Sequence, residues 1–143
     1  MPDPTLVHRR AVTIEWGDCD PAGIVFYPRY FAMFDASTAA LFQAALGLPK
    51  IAWAKRFGIL GIPMVDTRAK FTVPSAYGDE VTIESRVTAF RRAAFDVEHR
   101  LLKADGALAV EGFETRVWTA RDAETGRIRG VSIPPEVIAA FDR

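Results

Sequence analysis

The pattern of apolar and polar residues changes from strand-like to irregular over the first 28 positions. Apolar and polar residues alternate over residues 12–15, which indicates a first strand within residues 5–16. Residues 17–28 then break any period, because two glycines, two prolines and two aspartates fall within these twelve positions. Such a composition is typical of a shaped loop that joins two regular elements.

A long helix is predicted over residues 29–46, which are rich in alanine and leucine and contain neither glycine nor proline. Pro28 suits the first turn of this helix, and Gly47 with Pro49 suits its end. Few of its positions are polar, and a helix that is apolar almost all round is typical of a buried element. We therefore expect other elements to enclose it on several sides.

Strand-like patterns dominate the rest of the chain, and short turns join them as antiparallel neighbours. The predicted strands are 63–75, 80–90, 94–102, 107–120 and a short one within 126–131, with a second helix over 50–58 and a tail helix over 134–141. This order predicts an α+β fold in which the long helix is wrapped by a curved antiparallel sheet of five or six strands. An uncovered sheet edge is a liability that pairing with a second copy would remove, so we expect a dimer.

Composition and charge narrow the class of protein. The 143 residues, half of them hydrophobic, favour one domain over residues 1–143 with its own core. Eighteen basic and eighteen acidic residues cancel, which argues against a nucleic-acid binder. The sequence has no bilayer-spanning apolar run and no secretory signal, and its one cysteine, Cys19, cannot form an internal disulfide. We expect a cytoplasmic protein with no membrane partner.

Two aspartates in the irregular loop, Asp18 and Asp20, are the main candidates for chemistry. Residues just before a helix lie beside free backbone N–H groups and the positive end of the helix dipole. A carbonyl bound there would be polarised, and a carboxylate beside it could attack the carbonyl or activate water. The alternative is that both aspartates only form turns, since Asp20-Pro21 is a common turn opener.

Other reactive residue types favour structural interpretations. His99 lies on the apolar face of a predicted strand, which favours a packed core histidine over a catalytic base. Cys19 has no histidine nearby in sequence and is interpreted as a small filler. His8 and His99 are isolated from each other, so no metal site is predicted. Arg91 and Arg92 are either a solvated turn or a pair that binds phosphate.

The segment GDCDPAGIVFYPRYFAMFDAS, residues 17–37, resembles the hotdog-fold acyl-CoA thioesterase family, and within it the 4-hydroxybenzoyl-CoA thioesterases. The similarity continues more loosely through residues 61–85 and 90–95 and spans most of the chain. The resemblance implies that Asp20 is the essential carboxylate and that the backbone amide of Tyr27 holds the thioester oxygen. It also implies substrate contacts at Gly23, Phe26 and Asp35, with Arg91 and Arg92 on the CoA phosphates.

The function that the resemblance implies is hydrolysis of an acyl-CoA thioester, and of an aroyl-CoA such as 4-hydroxybenzoyl-CoA in particular. Asp20 would act as nucleophile or as general base, and no metal or cofactor is expected, because CoA belongs to the substrate. The family also implies a homodimer or a homotetramer built as a dimer of dimers.

Four positions depart from the family pattern. Ala93 and Ala94 replace a lysine and a serine, and Phe26 and Met33 replace tryptophans. Three alternatives stay open: a thioesterase for short or medium acyl chains, a hotdog dehydratase or hydratase, and a non-catalytic acyl-CoA binding protein. The dehydratase needs a histidine base, which the Asp20 loop lacks, and the binding protein has no need of Asp20.

Overall fold

The computed structural model of the protein describes residues 4–143. Its elements are β1 (His8–Thr13), a 3₁₀ turn (Trp16–Asp18), α1 (Pro28–Leu46), α2 (Lys50–Arg56), β2 (Met64–Phe71), β3 (Glu80–Phe90), β4 (Ala94–Leu102), β5 (Leu108–Val117), β6 (Thr119–Arg121), β7 (Ile128–Gly130) and α3 (Pro135–Ala139).

Five strands form one antiparallel sheet in the order β1-β3-β4-β5-β2, and β6 pairs with β7 in a separate two-stranded ribbon. The main helix, α1, follows β1 in sequence and packs on one face of this sheet. The predicted α+β fold is thereby confirmed, with five strands in the main sheet. Within residues 4–143 no single helix is long and apolar enough to cross a membrane, although the bent pair α1–α2 meets that test by length and composition.

Two hydrophobic clusters hold α1 against the sheet. The cluster under its second half is aromatic: Phe42 contacts Trp53 from α2, Phe95 from β4 and Phe141 near the C-terminus. The other cluster lies under the first half of α1 and includes Val25 from the loop that precedes the helix. Burial of Val25 therefore ties this loop to the core and fixes its position relative to the helix N-terminus.

Within one protomer, α1 is buried on the side that faces the sheet rather than on all sides. Its buried residues, among them Phe34, Leu41 and Phe42, lie on the face toward the sheet. The opposite face carries exposed or half-buried alanines and Gln43. Alanine is apolar enough to appear buried in a hydropathy pattern, yet it has so little side chain that an open face tolerates it.

The predicted strand over 107–120 is two strands separated at Trp118. Here the backbone changes partners: Trp118 N–H donates to the Ala93 carbonyl at 2.7 Å, and Thr119 N–H donates to the Gly61 carbonyl at 3.0 Å. The Trp118 side chain turns into the core and stacks on Trp53 with ring centroids 5.7 Å apart. Packing of one large aromatic residue thus ends β5 where the sequence pattern continues.

Candidate functional site

Asp20 begins a tight hairpin turn in the loop before α1. Its backbone N–H donates to the Ile24 carbonyl at 3.0 Å, and its carbonyl accepts from Gly23 N–H at 2.9 Å. Gly23 has φ of +83°, a conformation that favours glycine, while Ala22 N–H donates to Asp20 Oδ1 at 2.8 Å. The Oδ2 atom of Asp20 accepts no hydrogen bond from residues 4–143, so it is available to a ligand.

Asp18 has a different role in the same loop. Its Oδ2 atom accepts from Glu15 N–H at 2.9 Å, and its backbone carbonyl accepts from Phe26 N–H at 2.8 Å. Both groups of Asp18 therefore stabilise the local backbone. Val25 N–H donates to the Ser75 carbonyl at 2.9 Å, which ties the loop to the segment after β2.

The N-terminus of α1 presents one backbone donor beside this turn. Pro28 is the first helical residue and has no N–H, and Tyr27 is the N-cap without a side-chain hydrogen bond. The next donors, Arg29 N–H and Tyr30 N–H, bond to the carbonyls of Phe26 and Tyr27. Across the described part of the chain, the Tyr27 N–H itself has no acceptor. A donor at the positive end of a 19-residue helix is suited to bind a carbonyl oxygen or an anion.

An apolar groove of about 430 Å³ has Tyr27 among its lining residues. Tyr27 is 58% exposed, and its ring packs edge to face against Phe71 with centroids 6.2 Å apart. Phe26, also exposed, packs against Tyr27 in the same manner. The groove is lined by Ile24, Val25, Tyr27, Tyr30, Phe71, Thr72, Val73 and Pro74.

Asp35 lies two helical turns beyond Tyr27 and outside the residues that line the groove. Its carboxylate is 63% exposed, and Oδ1 accepts from Arg116 Nη2 at 2.7 Å. Phe31, one turn before Asp35 on the same face of α1, contacts Phe71 at 6.3 Å between centroids. The aromatic side chains beside the groove thus extend along the helix toward Asp35.

The two arginines predicted to meet phosphate lie at the turn between β3 and β4. Arg91 donates from Nη1 and Nη2 to both carboxylate oxygens of Asp96, at 2.8 and 2.9 Å. These hydrogen bonds raise the pKa of Arg91 and lower the pKa of Asp96. Within residues 4–143 the Arg92 side chain makes one hydrogen bond, at 3.3 Å to Ser132 Oγ, so it is more available to a ligand than the Arg91 side chain.

A buried polar cluster under α1 was not anticipated from the sequence. Glu114 and Arg116 lie on the inner face of β5, where they contact Thr38, Asp35 and His99. His99 is fully buried, which confirms the prediction of a core histidine. The sequence feature that could have indicated this cluster is a pair of charged residues two positions apart in a predicted strand. Within residues 4–143, no three His, Cys, Asp or Glu side chains cluster as a metal site.

Comparison with known proteins places this geometry in a family. The family model of the thioesterase-like superfamily matches residues 14–141. The chain is 36% identical over 132 residues to 4-hydroxybenzoyl-CoA thioesterase of Pseudomonas sp. (strain CBS-3), covering 87% of this chain and 90% of that protein. It is 33% identical over 89 residues to a 1,4-dihydroxy-2-naphthoyl-CoA hydrolase of Synechococcus elongatus, covering 62% of this chain and 64% of that one.

Solved structures agree with this assignment. An aspartate-to-asparagine variant of 4-hydroxybenzoyl-CoA thioesterase in complex with 4-hydroxybenzoyl-CoA matches with a TM-score of 0.86 at 32% identity, covering 94% of this chain and 98% of that one. A gentisyl-coenzyme A thioesterase matches with a TM-score of 0.78 at 29% identity, covering 95% and 100%. The chain belongs to the thioesterase-like superfamily of hotdog-fold proteins. The predicted enzyme class, an acyl-CoA thioesterase, is confirmed.

Proposed function

We propose that the protein hydrolyses aroyl-CoA thioesters, such as 4-hydroxybenzoyl-CoA, to the free acid and CoA. The observation that carries this proposal is the arrangement at the N-terminus of α1. There one hydrogen-bonded loop carries the Asp20 carboxylate, the available Tyr27 N–H and three residues that line the apolar groove, Ile24, Val25 and Tyr27. These are a reactive carboxylate, an oxyanion donor and a binding surface for an acyl group.

The Tyr27 amide is proposed to hold the thioester oxygen. Attack on the carbonyl carbon converts this oxygen to an oxyanion, and its negative charge develops at the positive end of α1. A donor that is already in place needs no reorganisation during the reaction, and one such donor contributes about 10²–10³ in rate. Because the donor is a backbone N–H, its position depends on the loop and on Pro28 rather than on a side-chain rotamer.

Asp20 is proposed to act by one of two routes, both of which release the same products. As a nucleophile, an Asp20 oxygen bonds to the carbonyl carbon, the bond from carbon to sulfur breaks, and CoA leaves as a thiolate. Water then cleaves the mixed anhydride and regenerates the carboxylate. As a general base, Asp20 accepts a proton from a water molecule whose oxygen bonds to the carbonyl carbon; the carbon–sulfur bond then breaks, CoA leaves as a thiolate, and Asp20 gives up the proton. Neither route uses a metal or a further cofactor.

The acyl group is proposed to lie in the apolar groove. Aromatic rings at its wall, among them Tyr27 and Phe71, can pack edge to face against a ring in the substrate. The names of three similar proteins support a hydroxylated aromatic acyl group, since they specify 4-hydroxybenzoyl-, 1,4-dihydroxy-2-naphthoyl- and gentisyl-CoA.

A homodimer formed through β2 is proposed as the working assembly. Nearly every residue of β2 is exposed, which distinguishes it from the alternating β3, β4 and β5. This open edge carries three exposed large apolar residues, Met64, Val65 and Phe71. Phe71 also lines the groove, so a second copy on β2 would lie next to the acyl site. The expected dimer of dimers stays a prediction.

The test compares Asp20→Asn with Asp18→Asn, the same change two residues away. Asp20→Asn should abolish thiol release from 4-hydroxybenzoyl-CoA while thermal unfolding and CoA binding stay unchanged, because the amide keeps the shape and loses the charge. Asp18→Asn should cost stability of about 0.5–3 kcal/mol and keep most of the activity.

The same assay over benzoyl-, 4-hydroxybenzoyl-, hexanoyl- and palmitoyl-CoA fixes the acyl class. Turnover by Asp20→Asn within a few-fold of wild type would remove Asp20 from the mechanism. A tenfold preference for an aliphatic chain, about 1.4 kcal/mol, would replace the aroyl assignment with a broader acyl-CoA thioesterase.

A further inference from the structure

Two oppositely charged side chains are buried under α1, on the face of the sheet that packs against this helix. Arg116 and Glu114 are 4% and 2% exposed at their side chains, on the inner face of β5. Removing charges from water costs several kcal/mol for each ion, and a buried pair often stabilises a fold no better than apolar residues do. Stability alone is therefore a weak reason for this pair, and its contacts indicate another one.

Each of the three guanidinium nitrogens of Arg116 donates to a different acceptor. Its Nε donates to Glu114 Oε1 at 2.8 Å, its Nη1 to the Ile62 carbonyl at 3.1 Å, and its Nη2 to Asp35 Oδ1 at 2.7 Å. A planar guanidinium held at three points has one orientation. The hydrogen bond to Asp35 consequently has a fixed direction and origin.

Glu114 is oriented in turn from deeper in the core. Thr38 Oγ1 donates to Glu114 Oε1 at 2.7 Å, and His99 Nε2 lies 3.1 Å from Oε2. Because the one hydroxyl hydrogen of Thr38 goes to Glu114, both oxygens near His99 Nε2 are acceptors, and Nε2 is the protonated nitrogen. His99 Nδ1 bonds to Ser85 Oγ at 2.7 Å.

The His99 ring is itself clamped between α1 and the sheet. Phe34 stacks on it with centroids 4.8 Å apart and planes 3° from parallel. Gly112, opposite His99 in the register of β4 and β5, makes this packing possible. A Cβ at position 112 would lie 2.6 Å from Phe34 Cε2. Hydrogen bonds therefore run without interruption from Ser85 in the middle of the sheet to Asp35 on the surface of α1.

Asp35 differs from every other member of this chain of contacts. It is 63% exposed, whereas the side chains beneath it are essentially buried. Arg116 uses Oδ1 of Asp35, and Oδ2 accepts no hydrogen bond from residues 4–143. One oxygen thus fixes the rotamer, and the other is available to a hydrogen-bond donor on a ligand. Phe31 and Phe71 place an aromatic surface one helical turn away.

We propose that Arg116, oriented by Glu114 and His99, is a positioning residue that holds Asp35 to accept a hydrogen bond from a hydroxyl group on the acyl ring. This inference rests on the proposed function. It means that the buried network of Arg116, Glu114 and His99 lets the enzyme distinguish hydroxylated aroyl groups from aroyl groups without a hydroxyl. An unpositioned aspartate on a helix surface would sample several rotamers in water and discriminate less.

The test is the ratio of kcat/KM for 4-hydroxybenzoyl-CoA to that for benzoyl-CoA, measured in four proteins: wild type, Asp35→Asn, the double variant E114Q/R116Q, and the triple variant that combines them. The double variant removes both buried charges, so neither is left unpaired. We expect the wild-type ratio to fall by about tenfold or more in Asp35→Asn and in the double variant. The triple variant should show no further fall, because both changes break the same interaction.

Two controls separate positioning from general damage to the fold. Arg86→Gln makes the same change in an exposed pair with Glu98, on another strand, and should leave the ratio unchanged. Arg116→Lys keeps the charge but cannot reach all three acceptors, so its ratio should lie between those of wild type and the double variant. This variant also serves if the double variant fails to fold, as judged by thermal unfolding.

The possible outcomes distinguish the inference from the function on which it rests. The positioning role would be overturned if the double variant kept the wild-type ratio, or if it lost kcat/KM equally on both substrates. It would also be overturned if the fall in the ratio in the triple variant were the sum of the falls in Asp35→Asn and in the double variant. Such results would leave the hydrolysis of aroyl-CoA intact. If the wild type hydrolyses neither aroyl-CoA, the proposed function is wrong and this inference is wrong with it.

Discussion

Two neighbouring arginines at the turn between β3 and β4 differ in their freedom to bind a ligand. A phosphate that approached Arg91 would have to displace both oxygens of Asp96, which Thr115 Oγ1 also holds at 2.8 Å. Arg92 gives up one 3.3 Å contact to Ser132. Of the pair that the sequence predicts for CoA phosphates, Arg92 is therefore the stronger candidate.

At this residue scale we predict that Arg92→Ala raises KM for acyl-CoA by about tenfold and leaves kcat nearly unchanged. The expected size is that of losing one charged hydrogen bond to a CoA phosphate. Arg91→Ala is the matched control and should affect KM less, since it removes an exposed intramolecular pair. Steady-state kinetics with an acyl pantetheine thioester check the assignment, because neither variant should differ from wild type on a substrate without the nucleotide. An equal rise in KM for both variants would mean that Arg91 releases Asp96 when CoA binds.

At the scale of single elements, α1 and β5 differ in how much the sequence reveals. Pro28 and Gly47 mark the bounds of α1 in local terms, and the loop before it identifies Asp20 and Tyr27 as candidates, because helix termini and turns depend on nearby residues. The inner face of β5 depends on contacts far away in sequence. Arg116 contacts Asp35, which lies 81 positions earlier in the sequence. The periodicity of apolar and polar residues cannot indicate such a contact.

In the second half of β5, the alternation of apolar and polar residues predicts that the wrong face of the strand is buried. Phe113 and Val117 lie on the outer face, where Arg68 stacks over Phe113 at 4.3 Å, while Glu114 and Arg116 lie inside. A hydropathy pattern predicts that apolar residues face the core. It contains no information about Thr38 and Asp35, the hydrogen-bond partners that α1 supplies. Tertiary hydrogen bonds thus decide the orientation of this strand against its pattern.

The buried carboxylate of β5 makes stability depend on pH. Burial raises the pKa of Glu114, but hydrogen bonds from His99 and Arg116 outweigh it and leave the pKa lowered from 4.5 to about 2. Between these values the unfolded chain binds a proton that the folded chain does not. The contribution of Glu114 to stability is therefore present above pH 4.5 and is lost as the pH falls toward 2.

We predict that the difference in free energy of unfolding between wild type and E114Q/R116Q shifts in favour of the variant as the pH falls from 6 to 3. Urea titrations at several pH values measure it. Glu98→Gln, which alters a half-exposed pair with Arg86 at 3.6 Å, should show a much smaller shift. A constant difference over this range would mean that the pKa of Glu114 is the same in the folded and the unfolded chain.

At the scale of the whole molecule, the two edges of the sheet are unequal. β1 is six residues long, and a short edge strand is less open to pairing with another chain. β2 is longer, and its register with β5 shifts at Val65, a valine that is 61% exposed. An apolar residue this exposed on an open edge is typical of a surface that a second copy covers.

The difference between the two edges predicts the effect of a positive charge at Val65. If the proposed dimer forms through β2, Val65→Lys should convert it to a monomer in sedimentation velocity, because each copy would place a positive charge in the paired edge. Ile128→Lys, at a similarly exposed aliphatic residue on β7, should leave the assembly unchanged. Since the groove begins at the end of β2, the monomer should also lose kcat/KM by about tenfold or more. A Val65→Lys protein that stays dimeric would place the interface elsewhere. A fully active monomer would instead mean that Asp20, Tyr27 and the groove complete the site within one protomer, so that pairing through β2 protects the sheet edge without contributing to hydrolysis.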